Sequence, residues 1–311
     1  MTLDAHHLNR LRRAAASLDG LSTGDAFGER FFGHPDVVGP QIGQRALPPP
    51  PWRYTDDTVM AISILDVLTE KRGIDQDLLA ELFAARFKYD TRRGYGSTAR
   101  TILTSIGEGK PWYEASQAAF GGGGSMGNGA AMRAAPLGAY FADDYEAVVE
   151  NARLSAEITH AHPDGQAGAI AVAVAAACVA HGPVEPRQLF DTVLRLTPES
   201  ETRAGIRRAS TLRRDIDAGT AAFALGSGSR VLAQDTVPFC LWCAAGRLGD
   251  FEAAMWHTVA GFGDRDTTCA IVGGILAGNP ATQIPSAWLE AREPLENMSR
   301  DKIASIGRKP A

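Results

Sequence analysis

The sequence predicts an all-α protein, and three observations carry that prediction. Apolar residues recur at three- and four-residue spacing, as at Leu8, Leu11, Ala15 and Leu18 and again at Leu79, Leu82, Phe83 and Phe87; this is the spacing of one buried helix face. Alternating apolar–polar runs of any length, the mark of half-buried strands, are absent. Two longer stretches, "TVMAISILDVLTE" (58–70) and "AGAIAVAVAAACVA" (167–180), are apolar nearly all round, as helices buried on most sides must be.

Taken in order, the N-terminal stretch reads as an amphipathic helix. The segment "GLSTGDAFGERFFG" (20–33) reads as a helix whose glycines permit close packing. Helices are expected over 58–70, around 79–87, and near 144–160, 164–181, 186–196, 200–216, 236–246, 249–260 and 266–277. Stretch 167–180 falls short of the roughly 20 residues that span a bilayer, so a buried core helix is expected. "ALPPPPWR" (46–53) is stiff and "FGGGGSMGNG" (120–129) is glycine-rich. Each ends at a chemically dense motif, so both read as active-site loops rather than domain joints. No internal repeat is visible. The 311 residues would fill one large domain or two smaller ones, and a single domain over 1–311 is expected.

Composition narrows the function classes. With 36 acidic against 31 basic side chains the net charge is −5, which gives no general affinity for nucleic acid or an acidic membrane. The arginines of "ETRAGIRRASTLRRD" (201–215) read as a solvated helix face. The N-terminus carries Asp4 and several arginines without a continuous apolar segment, unlike a signal peptide. Cys178, Cys240, Cys243 and Cys269 all lie in apolar runs, which favours core packing over metal or redox work. A reduced, cytoplasmic protein is expected.

Chemistry concentrates in a few places. "YTDDTVM" puts Thr55, Asp56, Asp57 and Thr58 at the start of a buried helix, and "GFGDRDTT" does the same with Asp264, Asp266, Thr267 and Thr268. Capping explains one such residue per helix start, and here there are four. Paired carboxylates would repel each other and resist burial. Two clusters of hard oxygens about 200 residues apart could instead converge on a pair of divalent cations, Mg²⁺ or Mn²⁺ rather than Zn²⁺. Spacing alone leaves both readings open. In "SMGNGAAMRAAPLG" the backbone N–H groups of Gly127, Asn128 and Gly129 would suit a phosphate or polyol. His160, on its residue type alone, reads as a satisfied core histidine.

Taken together, the motifs resemble the ADP-ribosylglycohydrolase family. The resemblance is carried by G-D-A-F-G at 24–28, T-D-D-T at 55–58, G-N-G-A-A-M-R at 127–133, "THAHPDGQAGA" at 159–169 and D-R-D-T at 264–267. It implies an all-α fold of the ADP-ribosylglycohydrolase type and a metal-dependent hydrolase of the bond at ribose C1″. By this resemblance Thr55, Asp56, Asp57, Asp264, Asp266 and Thr267 would hold two Mg²⁺ or Mn²⁺ ions. Ser125, Met126, Gly127, Asn128 and Gly129 would lie along the ADP-ribose, and His160 on its ribose side. Asp57 and Asp266 join Glu29 as candidate catalytic residues. Cleavage through an oxocarbenium-like transition state asks for an oriented sugar, a positioned water and help for the leaving group.

Two departures from that pattern stand out. Many relatives have a glutamate four residues after the second glycine of G-D-x-x-G, where this chain has Phe32. Glu29 follows Gly28 directly and shares a helix face with position 32, so Glu29 is expected as the acid/base or water-orienting residue. Arg265 replaces a small or neutral residue inside D-x-D; it would pair with a structural carboxylate or meet a substrate phosphate or protein carboxylate. The expected partner is an ADP-ribosylated protein or small-molecule conjugate, arginine being the first acceptor to consider. Alternatives are a non-catalytic ADP-ribose-binding protein and a two-metal nucleotide phosphohydrolase. An ADP-ribosylated nucleic acid stays open as a substrate, and no membrane partner is expected.

Overall fold

The structure, a computed structural model, describes residues 5–279 and 281–295. The described residues form sixteen α-helices and no strand. They are α1 (Ala5–Glu29), α2 (Pro35–Gly43), α3 (Asp56–Lys71), α4 (Gln76–Tyr89), α5 (Ser97–Gly107), α6 (Trp112–Gln117), α7 (Ala135–Tyr140) and α8 (Tyr145–Glu157). There follow α9 (Pro163–Ala180), α10 (Pro186–Leu196), α11 (Glu201–Thr211), α12 (Ala218–Leu225), α13 (Ala233–Gly246), α14 (Phe251–Val259), α15 (Arg265–Ala277) and α16 (Ser286–Ala291). The all-α expectation holds, and the helices read from periodicity sit close to their expected positions.

The differences have local causes. Helix α11 stops at Thr211, short of 216, because Leu212 turns to extended backbone. Helix α2 is not among the helices that the apolar periodicity predicts. It starts where His34 accepts a hydrogen bond from the Asp36 amide and Pro35 occupies the first turn, the position proline tolerates. Its nine residues bury only Val38 and Ile42, too little apolar signal for periodicity to register.

Helix α9 lies at the centre, with sixteen of its eighteen residues buried, and α7, α8, α10, α13 and α15 pack on it. Apolar composition long enough to suggest a membrane span is here the signature of a core helix.

The contact that builds the site is α1 against α15. A Cβ added at Gly20 would lie 2.3 Å from the carbonyl oxygen of Gly273. At Gly24 it would lie 2.2 Å from that of Cys269, and at Gly28 2.2 Å from that of Arg265. Glycine at every fourth position lets two backbones touch along two helical turns. The contact runs antiparallel, so the C-terminal end of α1, with Asp25 and Glu29, meets the N-terminal end of α15, with Asp264 and Asp266. Beside it, Phe27, Phe31, Trp52, Trp256 and Trp288 form one aromatic cluster with ring centroids 4.6–6.1 Å apart.

Candidate active site

The start of α3 needs donors satisfied, as every helix start does. Thr55 is its N-cap residue but makes no capping bond with its own side chain. Asp25, reaching over from α1, does that work. Its carboxylate accepts from the Thr55 amide at 3.0 Å and the Thr58 amide at 3.1 Å. It also accepts from the Thr55 hydroxyl at 2.9 Å and the Thr58 hydroxyl at 2.5 Å. Asp56 and Asp57 are therefore not needed as caps.

Asp57 is buried and short of donors. Its Oδ1 has no hydrogen-bond partner. Its Oδ2 lies 2.9 Å from the Thr55 hydroxyl, which sits at the same distance from Asp25. One hydroxyl proton cannot serve two carboxylates at once. Burial first, then repulsion from Asp25, Asp56 and Asp264, pushes the Asp57 carboxyl well above the usual carboxylate range. Burial and the charge of Asp25 push Asp56 up to about 8. Asp25 is pushed up to about 6 by burial against its hydrogen bonds.

The start of α15 completes the cluster. Asp264 makes no capping bond; its Oδ2 instead accepts from Asn128 Nδ2 at 2.7 Å, and that amide also donates to Thr236 Oγ1 at 3.1 Å. Asp266 is raised well above its ordinary value by burial, then by Asp57, Asp264 and Asp25. Thr267 is buried beside it. The structure thus brings Thr55, Asp56, Asp57, Asp264, Asp266 and Thr267 to one place, around Asp25. Glu29 ends α1 at the rim, raised by burial and by the charge of Asp264.

These residues fit divalent cations. A buried carboxylate oxygen without a donor and several carboxylates raising one another's proton affinity are relieved by a hard cation, whose natural ligands are carboxylate and hydroxyl oxygens. Among the described residues, no three His, Cys, Asp or Glu side chains close into a finished ligand set; the acidic groups share one field without converging on one point.

The loop before α7 adjoins this cluster through Asn128. Ser125 is buried, and the Gly127 amide donates to its hydroxyl at 3.2 Å. The Asn128 amide donates to the Val231 carbonyl at 3.2 Å, and the Met126 carbonyl accepts from the Ala233 amide. Two of the three amides expected to be free for a ligand are thus already engaged, and they fix the loop against the start of α13.

His160 lies under that loop. Cβ atoms built at Gly127 and Gly129 would come within 3.2 and 3.3 Å of its Nε2. Its Nδ1 is 2.8 Å from Thr159 Oγ1, which accepts from Arg133 at 2.9 Å. The Thr159 hydroxyl thus links the ring to Arg133. Burial and Arg133 lower His160 to about 3, so the ring is neutral.

Sequence reasoning missed Asp25 as the organiser of α3 and Arg133 as the support beneath the loop. Arg133 donates to the carbonyls of Ser155 and Gly129 and stacks 4.5 Å from the Phe83 ring centre. Both stand inside motifs already noticed. What hid them is that their partners, Thr58 and Ser155, are remote in sequence. Among the described residues Arg265 pairs with no carboxylate; its guanidinium lies against the rings of Phe262 and Phe32.

Known proteins resemble this chain along most of its length. The family model for ADP-ribosylglycohydrolase matches residues 6–309. ADP-ribosylhydrolase ARH3 of Homo sapiens is 26% identical, the match covering 92% of this chain and 90% of that protein. ADP-ribosylhydrolase ARH3 of Mus musculus is 28% identical over 78% of this chain and 74% of its own length. An uncharacterized protein of Archaeoglobus fulgidus is 30% identical over 90% of this chain and 92% of its own. Among solved structures, an ADP-ribosylglycohydrolase-related protein complex superposes with a TM-score of 0.60 at 23% identity, covering 96% of this chain and 97% of that one; it is similar in fold.

Proposed function

The chain belongs to the ADP-ribosylglycohydrolase family, and from that premise we propose that it is a metal-dependent hydrolase releasing ADP-ribose from a modified acceptor. The observation that carries the reading is Asp57: a buried carboxylate with one oxygen unpartnered and the other sharing a single proton with Asp25. A protein that needed only a helix cap here would not keep such a group, because Asp25 already caps α3.

In this reading Thr55, Asp56, Asp57, Asp264, Asp266 and Thr267 hold two Mg²⁺ or Mn²⁺ ions. When bound, such ions act as Lewis acids toward sugar hydroxyls and favour a water in its nucleophilic form. The rest falls to the chain. Asn128 fixes the orientation of Asp264, as outer hydrogen bonds do for ligating carboxylates. The loop Ser125–Met126–Gly127–Asn128–Gly129, pinned by Val231 and Ala233, forms one wall for the ADP-ribose. His160, neutral, supports that wall without bringing a charge to it. Glu29, on the rim with a raised proton affinity, takes a proton from water or gives one to the leaving group. Arginine is the first acceptor to test.

The experiment follows an arginine-ADP-ribosylated peptide by mass spectrometry with Mg²⁺, with Mn²⁺ and with EDTA. Metal-dependent release of intact ADP-ribose, lost in Asp57→Asn, is expected. Release of phosphate instead would replace the reading with a nucleotide phosphohydrolase. Tight ADP-ribose binding with no release from arginine- or serine-modified peptides would replace it with a binding protein.

A further inference from the structure

Arg265 stands between Asp264 and Asp266 in sequence, yet its side chain leaves the acidic cluster. Its guanidinium lies 4.9 Å from the centre of the Phe262 ring and 5.4 Å from that of Phe32. The residue is only 6% exposed, and its Nε is buried without a hydrogen-bond partner. Ring faces offset positive charge but accept no hydrogen bonds of ordinary strength, so the buried Nε–H of this cation lacks an acceptor. A buried guanidinium left so is costly, and its planar fork is shaped for a carboxylate.

Its position says where such an acceptor would come from. The loop of residues 125–129 meets α15 at Asp264, through Asn128. Arg265 faces other neighbours: Phe32 follows α1, and Phe262 belongs to the turn before α15 and approaches Gly39 of α2. The Arg265 carbonyl touches Gly28, the residue before Glu29. The guanidinium therefore lies on the Glu29 side of the cluster. Phe32 is 47% exposed, so the aromatic pair opens to the surface.

We propose that Arg265 is a specificity residue for the acceptor: held against Phe32 and Phe262, it pairs with the carboxylate of an acidic side chain next to the modified residue. This rests on the hydrolase reading above, in which Glu29 marks the side where the acceptor departs.

The test compares two ADP-ribosylated peptides that differ only in Glu or Gln beside the modified residue, each made in arginine- and serine-linked form. The readout is the ratio of kcat/KM for Glu over Gln peptide. A ratio cancels any general damage that a change between two cluster aspartates might cause. One charge-assisted hydrogen bond predicts about tenfold for the wild type, carried in KM. The ratio falls to about 1 in Arg265→Gln, and Arg265→Lys, which keeps charge but not the fork, lies between. A wild-type ratio near 1, or one unchanged in Arg265→Gln, overturns the proposal. So does an equal loss of affinity for both peptides, which would assign Arg265 to the pyrophosphate. Fluorescence anisotropy reads the same ratio as Kd. If neither peptide is cleaved but the binding ratio behaves as described, the hydrolase reading falls while the acidic-peptide preference is supported.

Discussion

Helices α3 and α15 begin with the same residue types, Asp56, Asp57 and Thr58 in one and Asp264, Asp266, Thr267 and Thr268 in the other. At α3 the free amides are taken by a carboxylate from outside the helix, Asp25, buried and bonded to four donors. At α15 no carboxylate comes from outside among the described residues; the N-cap aspartate makes no capping bond and is held by Asn128. The first start is locked to its neighbour by charge, whereas the second rests on backbone contact with α1 and on one amide. In both cases the aspartates are relieved of capping. Residues that sequence alone would assign to capping thus spend few of their oxygens on it, and that is what marks them as a candidate site.

The comparison can be broken or sharpened in four ways, from the largest expected effect downward. Asp57→Asn should lower metal-dependent cleavage by about 10³-fold or more, the weight of a metal centre in transition-state terms. The same variant should be more stable than wild type in EDTA by thermal melting, because it removes a carboxyl that must take up a proton to be buried in an acidic field. A melting temperature lowered in EDTA would mean that Asp57 is structural. Glu29→Gln should keep ADP-ribose affinity by calorimetry while turnover falls about 10²-fold; full turnover would remove Glu29 from the chemistry.

Asp25→Asn should act on the fold first. It replaces two acceptor oxygens with one and leaves buried donors of Thr55 or Thr58 unpaired, at a cost of about 2–4 kcal/mol in denaturant unfolding. The same change at Asp264, partner to a single amide, should cost much less; equal losses would erase the distinction between the two helix starts. The smallest effect concerns pH. His160 is lowered to about 3 in the folded protein, from about 6.5 when unfolded. Its stabilising contribution is complete above pH 6.5 and is lost as pH falls toward 3. His160→Gln should therefore flatten the acid limb of the stability curve, by up to about 1.4 kcal/mol per pH unit. An unchanged slope between pH 6 and 4 would show the ring already charged.

Much of this was legible in the sequence, for physical reasons that can be named. Helices with a strong apolar stripe, such as α10, or with apolar residues on nearly every side, such as α9, α13 and α15, announce themselves and fall near their expected positions. Helix α2 does not, because only two of its side chains are buried. The oxygen clusters at 55–58 and 264–268 were visible as an excess over what capping needs. The division of labour inside them was not. That Asp25 caps α3, that Arg133 reaches His160 through Thr159, and that Arg265 turns to Phe32 are facts about neighbours distant in the chain. For Gly24 and Gly28, packing and chemistry prove to be one thing, since the packing that they permit is what delivers Asp25 and Glu29 to the site.

The glycine ladder between α1 and α15 has one more consequence. Where backbones touch directly, the spacing between two helices is set by covalent geometry, and no rotamer can adjust it. The base of this site is therefore a fixed gauge that sets Asp25 against Asp264, Asp266 and Thr267, while its rim, with Phe32 and Arg265, is free to be rewritten. Such a molecule can change what it grips without disturbing how it cuts.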